Sequence, residues 1–262
     1  MLKTKFLVVS FLAIAIVFCS SITFAKNDKN SDIPEQAGLY DVPGHPELKL
    51  RVFVYHEKPS KPGKPGPTTP TYSCGLPDPG STLLVASAEW KLSGTWKYRL
   101  NTSSVPLTVG ANNLSLIAEN SYKQWTDVIH NNQVTITKDS DTIVNRAVLD
   151  GQNIITWGNA PGSALAVSYI WYDRITKVAT EVDTIMNTKS TWYWSQNQNC
   201  AYQGVYDAQD ILTHELGHTM GLDDMYTDEY ANHTMYGYGS KGEVKKDTLT
   251  QGDISGVQQI YH

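Results

Sequence analysis

The stretch HELGHTMGLDD, residues 214–224, sets two histidines four positions apart with a glutamate beside the first. On an α-helix, positions i and i+4 share one face, so the imidazoles of His214 and His218 can reach a single metal ion. Glu215 projects beside them, where a carboxylate can take a proton from water at the metal and pass it to a leaving amine while the ion polarises the carbonyl. Gly221 follows His218 by three residues, at the point where the helix must end and the chain must turn back with a backbone that glycine adopts without strain. Asp224 then comes three residues later, placed to return to the ion, and a carboxylate oxygen binds zinc at nearly the same distance as an imidazole nitrogen. The expected ligand set is therefore His214, His218 and Asp224, with Glu215 as general base and then acid. Asp223 competes for the third position and otherwise suits a supporting or capping place.

Elements able to hold such a site can be read along the chain. Alternating apolar residues predict strands at LKLRVFVYHE (48–57), TWKYRLN (95–101), QVTITKD, NIITWGN, ALAVSYIWYD and TEVDTIMN. NNLSLIAENSYKQWTDVI (112–129) spaces Leu114, Ile117, Tyr122, Trp125 and Ile129 for a helix, and a last helix is expected after LTQGD, where Thr250 can cap and Asp253 sits three residues later. No internal repeat is visible. Strand, helix, several strands and then a motif-bearing helix predict one α+β domain.

The 262 residues are 40 % hydrophobic and 10 % aromatic, enough to bury a real core. MLKTKFLVVSFLAIAIVFCSSITFA has two lysines, a short apolar run and a small-residue ending, the pattern of an export signal over residues 1–25. Cys19 offers a lipoprotein alternative, against which stands the bulky Phe18 before it. Removing residues 1–25 takes away Lys3 and Lys5 and no acid, moving the formal charge from −5 to −7. Such a chain has no attraction to phosphate backbones, so no nucleic-acid partner is expected. Neither is a stable membrane insertion, and the expected state is a monomer secreted to the extracellular space. KPSKPGKPGPTTPTYSCGLPDPG reads as an extended linker and places a boundary near residue 80. Residues 26–80 are too few for an independent core and are expected to be a propeptide or accessory segment of an 81–262 catalytic domain.

HELGHTMGLDD resembles the long zinc motif of the metzincins, the metalloprotease clan that includes matrixins, astacins and serralysins. Its aspartate in third place is similar to the variant in snapalysin-like secreted bacterial proteases, which implies that Asp224 is compatible with activity. Met235-Tyr236 in NHTMYGYG resembles the methionine turn beneath the metal. Gly237 stands where astacins and serralysins carry a metal-binding tyrosine, so that ligand is not expected, and His233 is read as a loop residue near the site. TWKYRLN is similar to the first matrixin strand, TEVDTIMN to the edge strand ahead of the active helix in prokaryotic matrixin-like proteins, and DTLTQGDISGVQQIY to the closing helix. The resemblance covers roughly residues 90–262. It implies a twisted, mostly parallel five-stranded sheet with an antiparallel edge strand, three helices, Zn2+ as cofactor, and protein or peptide substrates that add alongside the edge strand by backbone pairing. The specificity pocket is expected near residues 225–244. A structural Ca2+ also fits the resemblance, with KDSD (138–141) and Asp150-Gly151 as oxygen donors of no fixed spacing.

After residue 25 only Cys74 and Cys200 remain. In an exported chain they suggest one disulfide. Cys74, Gly75, Pro77 and Asp78 also match the cysteine-switch pattern of matrixin zymogens, in which the thiolate binds zinc, although Ser73 replaces the usual arginine. Both readings stand at this point. The competing function is an exported binding or surface protein that keeps the fold without cleaving peptides; Glu215 argues against it, because a purely structural zinc site closes with four protein ligands and needs no base.

Overall fold

The computed structural model describes residues 33–59, 72–76, 80–130, 133–196 and 200–262. The expected export signal, most of the linker and the Pro77-Asp78 part of the cysteine pattern lie outside these residues. The predicted strands and helices form close to their expected places. A hairpin of β1 (Gly38–Val42) and β2 (His45–Glu57) is followed by β3 (Tyr72–Ser73), β4 (Gly94–Leu100), α1 (Leu114–Thr126), β5 (Val134–Lys138), β6 (Asn153–Gly158), β7 (Ala164–Asp173) and β8 (Ala179–Asn187). Short strands β9 (Trp192–Tyr193), β10 (Ala201–Tyr202) and β11 (Tyr206–Asp207) lead into α2 (Ala208–Thr219), then β12 (Tyr238–Gly239) and α3 (Gln251–Ile260). Among the described residues no helix is long and apolar enough to cross a membrane.

The main sheet has the order β1-β2-β7-β8-β6-β4-β5, with β12 against β2. β5, β4, β6 and β8 are mutually parallel and β7 is antiparallel to β8, which gives the five expected strands of a matrixin-like α+β domain. One face packs on the helices through Trp125, Ile155, Ile170, Met186, Leu216 and Val257. The opposite face buries Val52, Val54, Ile154, Val167, Trp171 and Ile185. With both faces covered, β6 and β7 are buried along almost their whole length.

TEVDTIMN is not an edge strand: β8 lies between β6 and β7. The edge placement comes from the resemblance; in the structure the strand is interior and its carboxylates are used internally. Asp183 accepts hydrogen bonds from the N–H groups of Val148 and Ile154, and Glu181 from those of Asp150 and Gly151. The strand that borders the site is β7, and its outer edge is taken by β2, paired antiparallel from Leu48–Asp173 to His56–Ala164. The sheet thus continues past the five expected strands. β2, which precedes the boundary expected near residue 80, is hydrogen-bonded into the same sheet as the strands that follow it.

β3 pairs antiparallel with β10, Ser73 opposite Ala201, and brings Cys74 to Cys200. The two are joined as a disulfide across 126 residues of sequence. A cysteine spent in this way has no thiolate for a metal, so the structure takes the disulfide and not the switch. Thiol titration of the unreduced chain from Lys26 onward, unfolded in denaturant, should find no free thiol. Replacing Cys200 by Ser should cost about 2–5 kcal/mol. Two titratable thiols would remove the bridge.

Candidate metal centre

Helix α2 starts at Asp207, whose carboxylate accepts the N–H groups of Gln209 at 2.8 Å and Asp210 at 2.9 Å. Such a cap satisfies two of the free donors at the helix start and contributes about 1 kcal/mol. All twelve residues of α2 are buried. His214, Glu215 and His218 are therefore held away from water, and each polar atom on them needs a partner.

Each imidazole has one nitrogen fixed by a backbone carbonyl. His214 Nδ1–H donates to Thr234 O at 2.7 Å and His218 Nδ1–H to Leu222 O at 3.0 Å. These acceptors select the tautomer in which Nε2 carries a lone pair. The helix then stops at Gly221, which has φ +100°, and Gly221 N–H bonds back to His218 O at 2.9 Å. A Cβ at this position would come within 2.2 Å of the Trp90 carbonyl oxygen. The turn delivers Asp224, whose Oδ1 lies 3.3 Å from His214 Nε2 and 3.5 Å from His218 Nε2. Its Oδ2 accepts the Tyr226 hydroxyl at 2.9 Å, which leaves Oδ1 for the cluster. Asp223 turns elsewhere: its Oδ1 accepts Asp224 N–H at 3.0 Å and faces Arg51 at 3.4 Å.

His214 Nε2, His218 Nε2, Asp224 Oδ1 and Glu215 Oε1 are buried and lack a hydrogen-bond partner among the described residues. The three ligand atoms lie within 4.8 Å of one another. An unpaired buried polar atom costs about 1–3 kcal/mol, so several of them converging on one point mark a place built for a cation. The donor set, two imidazoles and a carboxylate with a base alongside, fits zinc with an open position. Without an ion in the cluster, the carboxylate and the imidazoles stabilise each other's charged forms. Burial pushes the Asp224 carboxyl up, but the imidazoles of His218 and His214 outweigh it and hold it well below the usual carboxylate range. Burial lowers His218, yet the facing Asp224 charge raises it overall. Glu215 is pushed up by burial, against the pull of the histidines and a 2.6 Å hydrogen bond from Ser168 Oγ to its Oε2.

The loop after Asp224 is tied to the last helix. Thr250 and Asp253 form the expected capping box. The same Asp253 carboxylate accepts the N–H groups of Thr234 at 3.0 Å and Met235 at 3.1 Å. Asp253 therefore fixes the very segment whose Thr234 carbonyl orients His214. Met235 is fully buried beneath α2, and Gly217 makes room for it: a Cβ there would lie 2.2 Å from the Met235 sulfur. His233 is no part of the cluster, with ring nitrogens against the carbonyls of Leu83 and Tyr230. The acids considered for calcium are spent on neighbours, Asp139 on Arg99, Asp141 on Lys138 and Asp150 on Gln152, and calcium finds no support.

Above the cluster lies β2, with the Phe53 ring stacked on His218 at 3.7 Å and Tyr55 tilted over His214 at 4.0 Å. Phe53, Tyr55, Tyr226 and Ser168 carry no spacing signal relative to the histidines and were beyond the reach of the sequence. Gly221→Ala tests the turn that delivers Asp224. Because it meets both the positive φ and the Trp90 carbonyl, it should lower stability by about 2 kcal/mol or more and reduce bound zinc, read by thermal melting and metal analysis. A variant with parental melting temperature and zinc content would show that the turn does not depend on glycine.

The family model described as Matrixin matches residues 89–262. No curated protein matches the chain. The matched span begins just ahead of β4, runs through α3, and contains all four side chains of the cluster. Because it covers well over half of the sequence, the chain belongs to the matrixin family, whose members are zinc-dependent endopeptidases.

Proposed function

We propose that this chain is a secreted zinc endopeptidase in which His214, His218 and Asp224 hold the ion and Glu215 moves the proton. The convergence of three buried, unpartnered ligand atoms beside a buried carboxylate carries this reading. Zinc, when bound there, supplies a Lewis acid that polarises the scissile carbonyl and acidifies a water molecule. Glu215 Oε1 is the free carboxylate oxygen, while Oε2 is held by Ser168. A carboxylate raised by burial is suited to accept the proton of the attacking water and release it to the departing amine nitrogen at near-neutral pH. Tyr226 and the carbonyls of Thr234 and Leu222 keep the three ligand side chains in register.

In this reading residues 1–25 direct export and residues 26–80 accompany the 81–262 catalytic domain as a propeptide or accessory segment. The signal-like start and the Cys74–Cys200 disulfide support an oxidising destination.

Glu215→Gln should keep its zinc while cleavage of unfolded casein falls by about two to four orders of magnitude relative to the same chain with Glu215. Near-parental cleavage at full zinc occupancy would remove Glu215 from the mechanism. Asp224→Ala should lose most of the metal affinity and Asp223→Ala little of it. If metal analysis gives the reverse order, the third ligand has been assigned one residue too late.

A further inference from the structure

β7 and β8 meet the metal helix with a face that is apolar on either side of one cross-strand pair. On that face Ala166 and Ile170 of β7, and Val182 and Met186 of β8, belong to the main core. Between them stand Ser168 and Thr184, directly opposite one another across the antiparallel ladder and only 0 % and 1 % exposed. Successive side chains of a strand point to opposite faces, so both hydroxyls enter the layer that holds α2. A buried hydroxyl costs stability unless it finds a partner. This pair finds its partner in Glu215, itself fully buried.

Ser168 Oγ donates to Glu215 Oε2 at 2.6 Å, the length of a charge-assisted hydrogen bond to an ionised carboxylate. An ionised carboxylate only accepts, and a hydroxyl has one proton to give. The 3.2 Å contact between Thr184 Oγ1 and Ser168 Oγ is therefore donated by Thr184. Donation runs from Thr184 to Ser168 to Glu215, and each bond polarises the next. The effect is one-sided: Oε2 is engaged from the sheet, while Oε1 is buried and without a partner among the described residues. We propose that Ser168 and Thr184 are positioning residues for Glu215, a relay of two hydroxyls that occupies Oε2 and confines proton transfer to Oε1. This rests on the endopeptidase reading. Oε1 takes the proton of the attacking water and releases it to the departing amine nitrogen, while both hydroxyls keep their own protons. Without the relay the carboxylate is free to turn, and the alignment of base and water is lost in part of the population.

The test uses the full chain loaded with zinc, and its first readout needs no turnover. The infrared carboxylate bands of Glu215, taken as the difference between chains with and without Glu215→Gln, should shift in Ser168→Ala because one oxygen loses its hydrogen bond. In casein cleavage, Ser168→Ala should lower kcat about tenfold or more with KM and zinc content unchanged, the mark of an interaction that serves the transition state. Thr184→Val keeps the shape and removes the hydroxyl; it should lower kcat about threefold, and Thr184→Ser, which keeps the hydroxyl and sheds a methyl, should restore the rate. A packing role for Thr184 predicts the opposite order. In the Ser168→Ala background, Thr184→Val should add less than about twofold, since the relay is already cut. If near-ultraviolet circular dichroism shows Ser168→Ala unfolded, Ser168→Cys, a weaker donor of similar size, carries the same comparison. Unmoved bands in Ser168→Ala, an unchanged kcat, or a Thr184→Val loss that persists undiminished in that background overturns the proposal. A parent chain that holds zinc but leaves casein uncut defeats the endopeptidase reading, and the bands alone then keep or remove the Ser168 contact.

Discussion

An imidazole whose Nδ1–H is committed to a carbonyl has only Nε2 left to offer, and its direction is then set by that carbonyl. Much of the chain after residue 200 serves this constraint. Thr234 O and Leu222 O aim His214 and His218 at one point, and the Tyr226 hydroxyl leaves a single Asp224 oxygen facing the same point. Each of these partners is fixed in turn. The Thr234 segment hangs from Asp253 on α3, and Leu222 follows the Gly221 turn that closes against Trp90 and Ala88. Removing the convergence would leave buried, unpaired polar atoms in the centre of the domain, which is why so many remote contacts point to it.

The sheet supplies the other half of the arrangement. β7 carries Ser168 to Glu215, and β2 continues the sheet over the cluster, so that the same backbone pairing that builds the fold also covers the site. The pairing sets the Phe53 and Tyr55 rings against the two imidazoles, where aromatic surface excludes water. A strand edge is a ready template for another chain, and here it is covered from within.

Local physics decides what the sequence reveals. Helical spacing made His214, Glu215 and His218 legible, the positive φ required at Gly221 marked the turn, and the Thr250–Asp253 pair marked the start of α3. These signals act over a few residues. Long-range contacts leave no such trace: Tyr226 is one of fifteen tyrosines, and nothing in its surroundings announces a bond to Asp224. TEVDTIMN is placed at an edge by resemblance, and nothing local corrects that placement, because Glu181 and Asp183 find their partners in backbone N–H groups some thirty residues upstream. LKLRVFVYHE was legible as a strand, but its partner β7 lies more than a hundred residues on, and pairing at that distance is invisible in one sequence.

The central claim is that one ion sits among His214, His218 and Asp224. A crystal structure of the zinc-loaded chain, with anomalous data collected across the zinc edge, tests it most directly. The account predicts a single strong peak about 2.0–2.2 Å from His214 Nε2, His218 Nε2 and Asp224 Oδ1. A peak at Asp223 or His233, or none between the two imidazoles, would contradict it.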